Sequence, residues 1–156
     1  MRSKFDLRFT EYGSAVLLFV ALVLAAIVGP AAASETSIRM ESDPGDPIGM
    51  GLRYALIPSD GTFSLAGDAG AVQLTFQPAV PGDAWTFAFS APAGQVLKPG
   101  PRMMAVSAPQ SPSGLPALDV SGGNRDCDWV SGSFRVNELT LDAGGNPVSL
   151  WATFEQ

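Results

Sequence analysis

The sequence predicts an all-β protein: an antiparallel β-sandwich or flattened barrel of about nine strands, preceded by an N-terminal signal-peptide helix. Three observations carry that expectation. After residue 33, apolar and polar residues alternate with period two over short runs. Clusters of Gly, Pro, Asp and Asn punctuate those runs roughly every ten residues. No stretch in the same region keeps a helical period for more than a turn or two.

The signal-peptide helix comes first. Arg2, Lys4 and Arg8 form a basic leader, Ala15–Val28 is an uninterrupted apolar run, and Gly29-Pro30 breaks it. Ala31 to Ala33 then offer the small residues a signal peptidase reads. Cleavage is expected after Ala33, leaving one domain over residues 34–156 in the periplasm or outside the cell. An uncleaved anchor is the alternative, since Ser14 to Ala33 approaches the roughly 20 apolar residues that span a bilayer. No cysteine lies near the site, which excludes a lipoprotein anchor.

The strands follow in order. Ile38–Glu41 and Met50–Ile57 come first, separated by "SDPGDPIG", and the "PSDG" turn at 58–61 leads to Thr62–Ala66. "GDAG" at 67–70 introduces Val72–Gln77, where Val72, Leu74 and Phe76 share one face. After "PGD" at 81–83, Trp85–Ser90 repeats the pattern with Trp85, Phe87 and Phe89. Met103–Ser107, Ala117–Ser121, Val130–Leu141 and Val148–Glu155 complete the set. Val72, Leu74, Phe76, Trp85, Phe87, Phe89, Phe134, Val136, Leu150 and Phe154 are expected in the core. The proline-rich Ser107–Pro116 reads as a long connection crossing between two sheets rather than as a polyproline ligand.

One strand changes phase. In Val130–Leu141 the apolar residues fall at 130, 134 and 136, then at 139 and 141. A regular strand cannot place both sets on one face, so a bulge or bend is expected near Asn137-Glu138. That would turn Glu138 partly inward, either bonded to backbone or to Arg135, or as a functional carboxylate.

Composition excludes several chemistries. The chain has no histidine and a single cysteine, Cys127. Histidine-assisted nucleophiles, histidine-ligated zinc or copper and cysteine metal cages are therefore out of reach. The whole chain carries 9 basic and 15 acidic side chains; without residues 1–33, which hold three basic and two acidic ones, 6 and 13 remain, a net charge of −7. Scattered cations in an acidic chain disfavour nucleic acid and anionic membranes, where clustered Lys and Arg supply the affinity. No cofactor is expected, nor any stable membrane association once the leader is removed. The thiol of Cys127 has no intramolecular partner, so a disulfide-linked homodimer is expected in an oxidising compartment.

Asp43 and Asp46 are weak metal candidates. Calcium loops bring several oxygens together from alternating acids and a closing glutamate. Here the two aspartates are three apart, and Pro44 and Pro47 restrict the backbone between and beyond them. Asp43-Pro44-Gly45 fits a type II turn better, with proline second and glycine third.

For binding, the speculative residues are Trp129, Trp151, Asp126 and Asp128. Trp151 falls on the strand face opposite Leu150, Ala152 and Phe154, where it would stack on a sugar ring of an extracellular glycan or pack beneath a missing last strand or a neighbouring loop. Asp126 and Asp128 lie just before Trp129 in sequence and would accept hydrogen bonds from sugar hydroxyls. A glycoside hydrolase would need two facing carboxylates. Nearly every acid sits in a turn, as Asp43, Asp46, Asp60, Asp68, Asp83 and Asp142 do, and Glu138 is the strand-interior candidate, with no partner to name. No catalytic residue is assigned.

"SDPGD" followed by "IG-x-G", then "AP-x-G-x-x-L-x-PG" (Ala91–Gly100), "LDVSG" (Leu118–Gly122), Cys127, "GSF-x-V-x-E" (Gly132–Glu138) and "FEQ" (Phe154–Gln156) run in order through residues 34–156. In these motifs the chain resembles a family of secreted bacterial all-β domains. The resemblance implies an exported β-domain with no attached catalytic activity. It also implies a histidine-cysteine-glutamate-glycine continuation after "FEQ" and one more strand, so that this chain reads as C-terminally truncated, without its last strand in the family's sense. By the same resemblance Cys127 would be half of a disulfide. Pro47, Pro101 and the "GGNRDCDW" segment depart from the family pattern.

Overall fold

A computed structural model describes residues 4–10, 36–107, 114–126 and 131–156. Among them the secondary structure is entirely β. Ten strands form one sheet: β1 (Lys4–Thr10), β2 (Ser37–Glu41), β3 (Arg53–Leu56), β4 (Gly61–Gly67), β5 (Ala71–Pro78), β6 (Trp85–Ser90), β7 (Met103–Val106), β8 (Ala117–Gly122), β9 (Ser131–Leu141) and β10 (Pro147–Glu155). Their order is β3-β2-β1-β10-β9-β7-β8-β6-β5-β4. The sheet curls until it is nearly closed, so this is the flattened barrel rather than two separate layers.

All nine expected strands are present. Two corrections concern connectivity. The proline-rich connection joins β7 to its sheet neighbour β8 instead of crossing between sheets. Those two strands run parallel, paired at Val106 and Ala117, while every other strand pairing is antiparallel. A parallel neighbour needs a crossover rather than a tight hairpin, and that explains the long connection.

The tenth strand is β1, from the segment expected to be an address. Leu7 pairs with Ala152 of β10 on one side and with Ile38 of β2 on the other. Leu7 is fully buried and Phe9 is 7% exposed. Side chains of this kind each contribute about 1.5–3 kcal/mol when buried. The apolar run Ala15–Val28 and the cleavage site after Ala33 lie outside the described residues.

The barrel interior is an aromatic stack. All ten expected core residues are buried. Phe154 of β10 meets Phe87 and Phe89 of β6, each with ring centroids 5.8 Å apart, and Phe89 meets Phe134 of β9 at 5.3 Å. These pairs join strands that are distant in sheet order, so the curled sheet is held by its own filling. Trp85 closes one end of the stack, edge-on to Tyr54 of β3 at 4.8 Å. Two hydrophobic loop residues also join the core: Ile48, beside Trp85, and Leu97, whose N–H donates to Ala69 O in the β4–β5 turn.

The phase change in β9 is a bulge. Glu138 pairs with Trp151 and Val136 with Ala152, which leaves Asn137 as the additional residue. Beyond it Leu139 packs against the core. The turns follow their sequence signals. At the β9–β10 hairpin the carboxylate of Asp142 accepts from Gly144 N and Asn146 N, both at 2.8 Å, and from the Asn146 side chain.

The Asn146 side-chain amide, followed by the turn's backbone N–H groups, holds the Asp142 carboxyl below its ordinary pKa. The unfolded chain then takes up a proton more readily than the folded one. The carboxylate's contribution is therefore complete above the unfolded value of about 3.9 and is lost as pH falls through the lower folded value. Thermal melts of Asp142→Asn and the parent should differ near neutral pH and converge in acid. A gap independent of pH would show that the charge contributes nothing.

Candidate functional site

The loop between β2 and β3 was the densest cluster of acid and turn chemistry in the sequence, and it folds as a turn. Asp46 N donates to Asp43 O at 3.1 Å, and Gly45 at φ 88° supplies the left-handed position that a type II turn requires. The Asp46 carboxylate is directed at its own loop. Oδ1 accepts from Ile48 N at 2.8 Å, and Oδ2 accepts from Ser42 Oγ at 2.9 Å. Ser42 Oγ accepts in turn from Gly51 N at 3.1 Å. The loop thereby presents Ile48 to the barrel end beside Trp85.

Among the described residues no group of three metal-ligating side chains comes together. Addition of about 1 mM calcium should leave the melting temperature unchanged. A site with Kd of about 10 µM would instead add about 2.7 kcal/mol at that concentration. A rise abolished by Asp46→Ala would overturn the turn assignment.

Arg125 fastens this loop to two others. Its Nε donates to Ile48 O at 3.1 Å, and its guanidinium meets Asp83 Oδ2 at 2.6 Å. Its two partners lie in the β2–β3 and β5–β6 loops, 77 and 42 residues away in sequence, and Arg125 itself lies in the β8–β9 loop. No local pattern announces such a clasp, and sequence reasoning missed it. Burial pushes the Tyr54 hydroxyl pKa up, with Asp83 and Asp46 adding to the rise and Arg125 opposing it.

Beside the clasp lies an open polar cleft lined by Gly82, Asp83, Ala84, Asn124, Arg125 and Asp126. Asp126 is exposed at its rim. Trp129, Asp128 and Cys127, which sequence reasoning grouped with Asp126, lie outside the described residues.

Trp151 belongs to a different cleft, lined by Arg8, Phe9, Thr10, Glu138, Ser149 and Leu150. It is half-buried on the strand next to β1, paired with Arg8. Its Nε1 donates to Asp6 Oδ1 at 2.8 Å, and the Arg8 guanidinium carbon sits 4.3 Å from the ring centroid. A cation over an indole face is a favourable placement, and it occupies the face a sugar would stack on. The structure therefore does not bring Asp126 and Trp151 into one site.

Glu138 requires a correction. It is exposed rather than turned inward, because the bulge falls on Asn137 and returns Glu138 to the outer face. Its Oε1 accepts from Ser149 Oγ at 3.4 Å, and no bond to Arg135 is seen among the described residues. Comparison with family models, with curated proteins and with solved structures finds no match.

Proposed function

We propose that the protein is an exported, non-catalytic β-domain with a structural or surface-binding role, released by cleavage after Ala33 and resembling secreted bacterial all-β domains. The observation that carries the reading is how the chain uses its polar chemistry. The buried polar residues among those described are four serines, Ser42, Ser107, Ser133 and Ser149. Its aspartates organise turns: Asp46, Asp60, Asp68 and Asp142 each accept backbone N–H groups of their own loops. Carboxylates used in this way support a rigid scaffold rather than a reaction centre. Fractionating cells that express the full chain tests the reading. The protein should appear outside the cytoplasm and begin at Ser34. Retention of Val16–Val28 in a form that pellets with membranes would contradict it.

The carbohydrate-binding alternative rests on Trp151. Removal of residues 1–33 would take Asp6 and Arg8 off the indole and leave it beside Glu138 and Ser149. Titrating the exported protein with oligosaccharides while following tryptophan emission tests this. A saturable change lost in Trp151→Ala supports it, and a flat response rejects it.

A further inference from the structure

We propose that the seam between β2 and β10 is a strand-accepting site, which in the processed protein takes up an extended segment of a partner polypeptide with apolar side chains at alternate positions. The inference rests on cleavage after Ala33 and goes beyond the functional reading by naming the partner's chemistry.

Its ground is the way β1 is held. β1 is antiparallel to both neighbours, from Phe5 to Thr10 along β10 and from Lys4 to Arg8 along β2. Its backbone thus completes two ladders at once. Its inward side chains Leu7 and Phe9 enter the core alongside Ile38, Met40, Leu150 and Ala152. Its outward side chains Asp6 and Arg8 engage Trp151. Yet β1 is joined to β2 only through residues 11–36, which contain the expected cleavage site. Cutting there leaves β1 attached by non-covalent contacts alone.

Loss of β1 would expose the facing ladder edges of β2 and β10 together with the apolar floor beneath Leu7 and Phe9. Unpaired edges of this kind template the addition of a strand. In strand addition, main-chain hydrogen bonds supply affinity and pockets for alternate side chains supply selectivity. The occupant defined by β1 is an apolar-x-apolar strand that carries an acid and a base outward, two residues apart, to meet the Trp151 edge and face.

The test keeps the full chain. A specific protease site is placed between Ala33 and Ser34, the folded protein is cut, and a fluorescent peptide of residues 2–12 is added in excess. Uptake of one peptide per cut chain is expected, with none by the uncut chain. A peptide carrying Leu7→Asp and Phe9→Asp should bind at least about a hundredfold more weakly, since two buried side chains lose their burial. Uptake should also shift the tryptophan emission, and the shift should be absent in Trp151→Phe. Two results would overturn the proposal: a cut chain that stays folded and takes up no peptide, or one that unfolds and is not rescued by peptide excess. Failure of processing reads out separately. If the exported protein does not begin at Ser34 while the cut chain takes up peptide, the seam accepts strands but is filled by β1 in the same chain.

Discussion

Replacing Phe154 with alanine is expected to cost about 3–5 kcal/mol in urea unfolding, the range for a fully buried phenylalanine. Domains of this size are stable by only about 5–15 kcal/mol, so the variant should be marginal at physiological temperature. Phe154 is fully buried near the end of β10. Its strand, β10, is interior to the sheet, and its ring joins Phe87 and Phe89 across the barrel. A cost below about 1 kcal/mol would mean that the end of β10 frays and that the aromatic stack closes without it.

The second large effect is expected from the smallest side chain. Gly122 ends β8 opposite Trp85, and a Cβ built there would sink into the six-membered ring of the indole. Trp85 is 2% exposed and packed against both Tyr54 and Phe87. The ring has nowhere to retreat. Gly122→Ala should therefore cost about 1–3 kcal/mol, as overpacking of a filled core does. It should also perturb the near-ultraviolet circular dichroism of the tryptophan. A variant with parental stability and spectrum would show that the ring is free to shift.

Much of the fold was legible because it is local. Alternation in "VQLTFQ" and "WTFAFS" fixes which side chains face inward whatever their neighbours are, and every expected core residue is buried. The bulge at Asn137 was likewise visible as a slip in phase. Strand order was not legible. That β6 pairs with β8 and β9 with β7 depends on contacts across the barrel, and the intervening sequence carries no record of them. The Arg125 clasp was hidden for the same reason. The omission of β1 has a different cause. "KFDLRFT" alternates as cleanly as any strand, but its basic residues, followed by the apolar run, fit the pattern of an address and drew that reading instead. Trp151 follows from that omission: a platform open to ligand when β1 is left out is a covered side chain when β1 is counted.

The place of β1 in the sheet is the claim on which most else depends, and interstrand proton contacts in the full chain test it most directly. Nuclear Overhauser effects should connect the backbone of Leu7 to Ala152 on one side and to Ile38 on the other, with slow amide exchange along Ser37–Glu41 and Ser149–Phe154. Direct contacts between β2 and β10, with residues 4–10 exchanging freely and showing random-coil shifts, would contradict it.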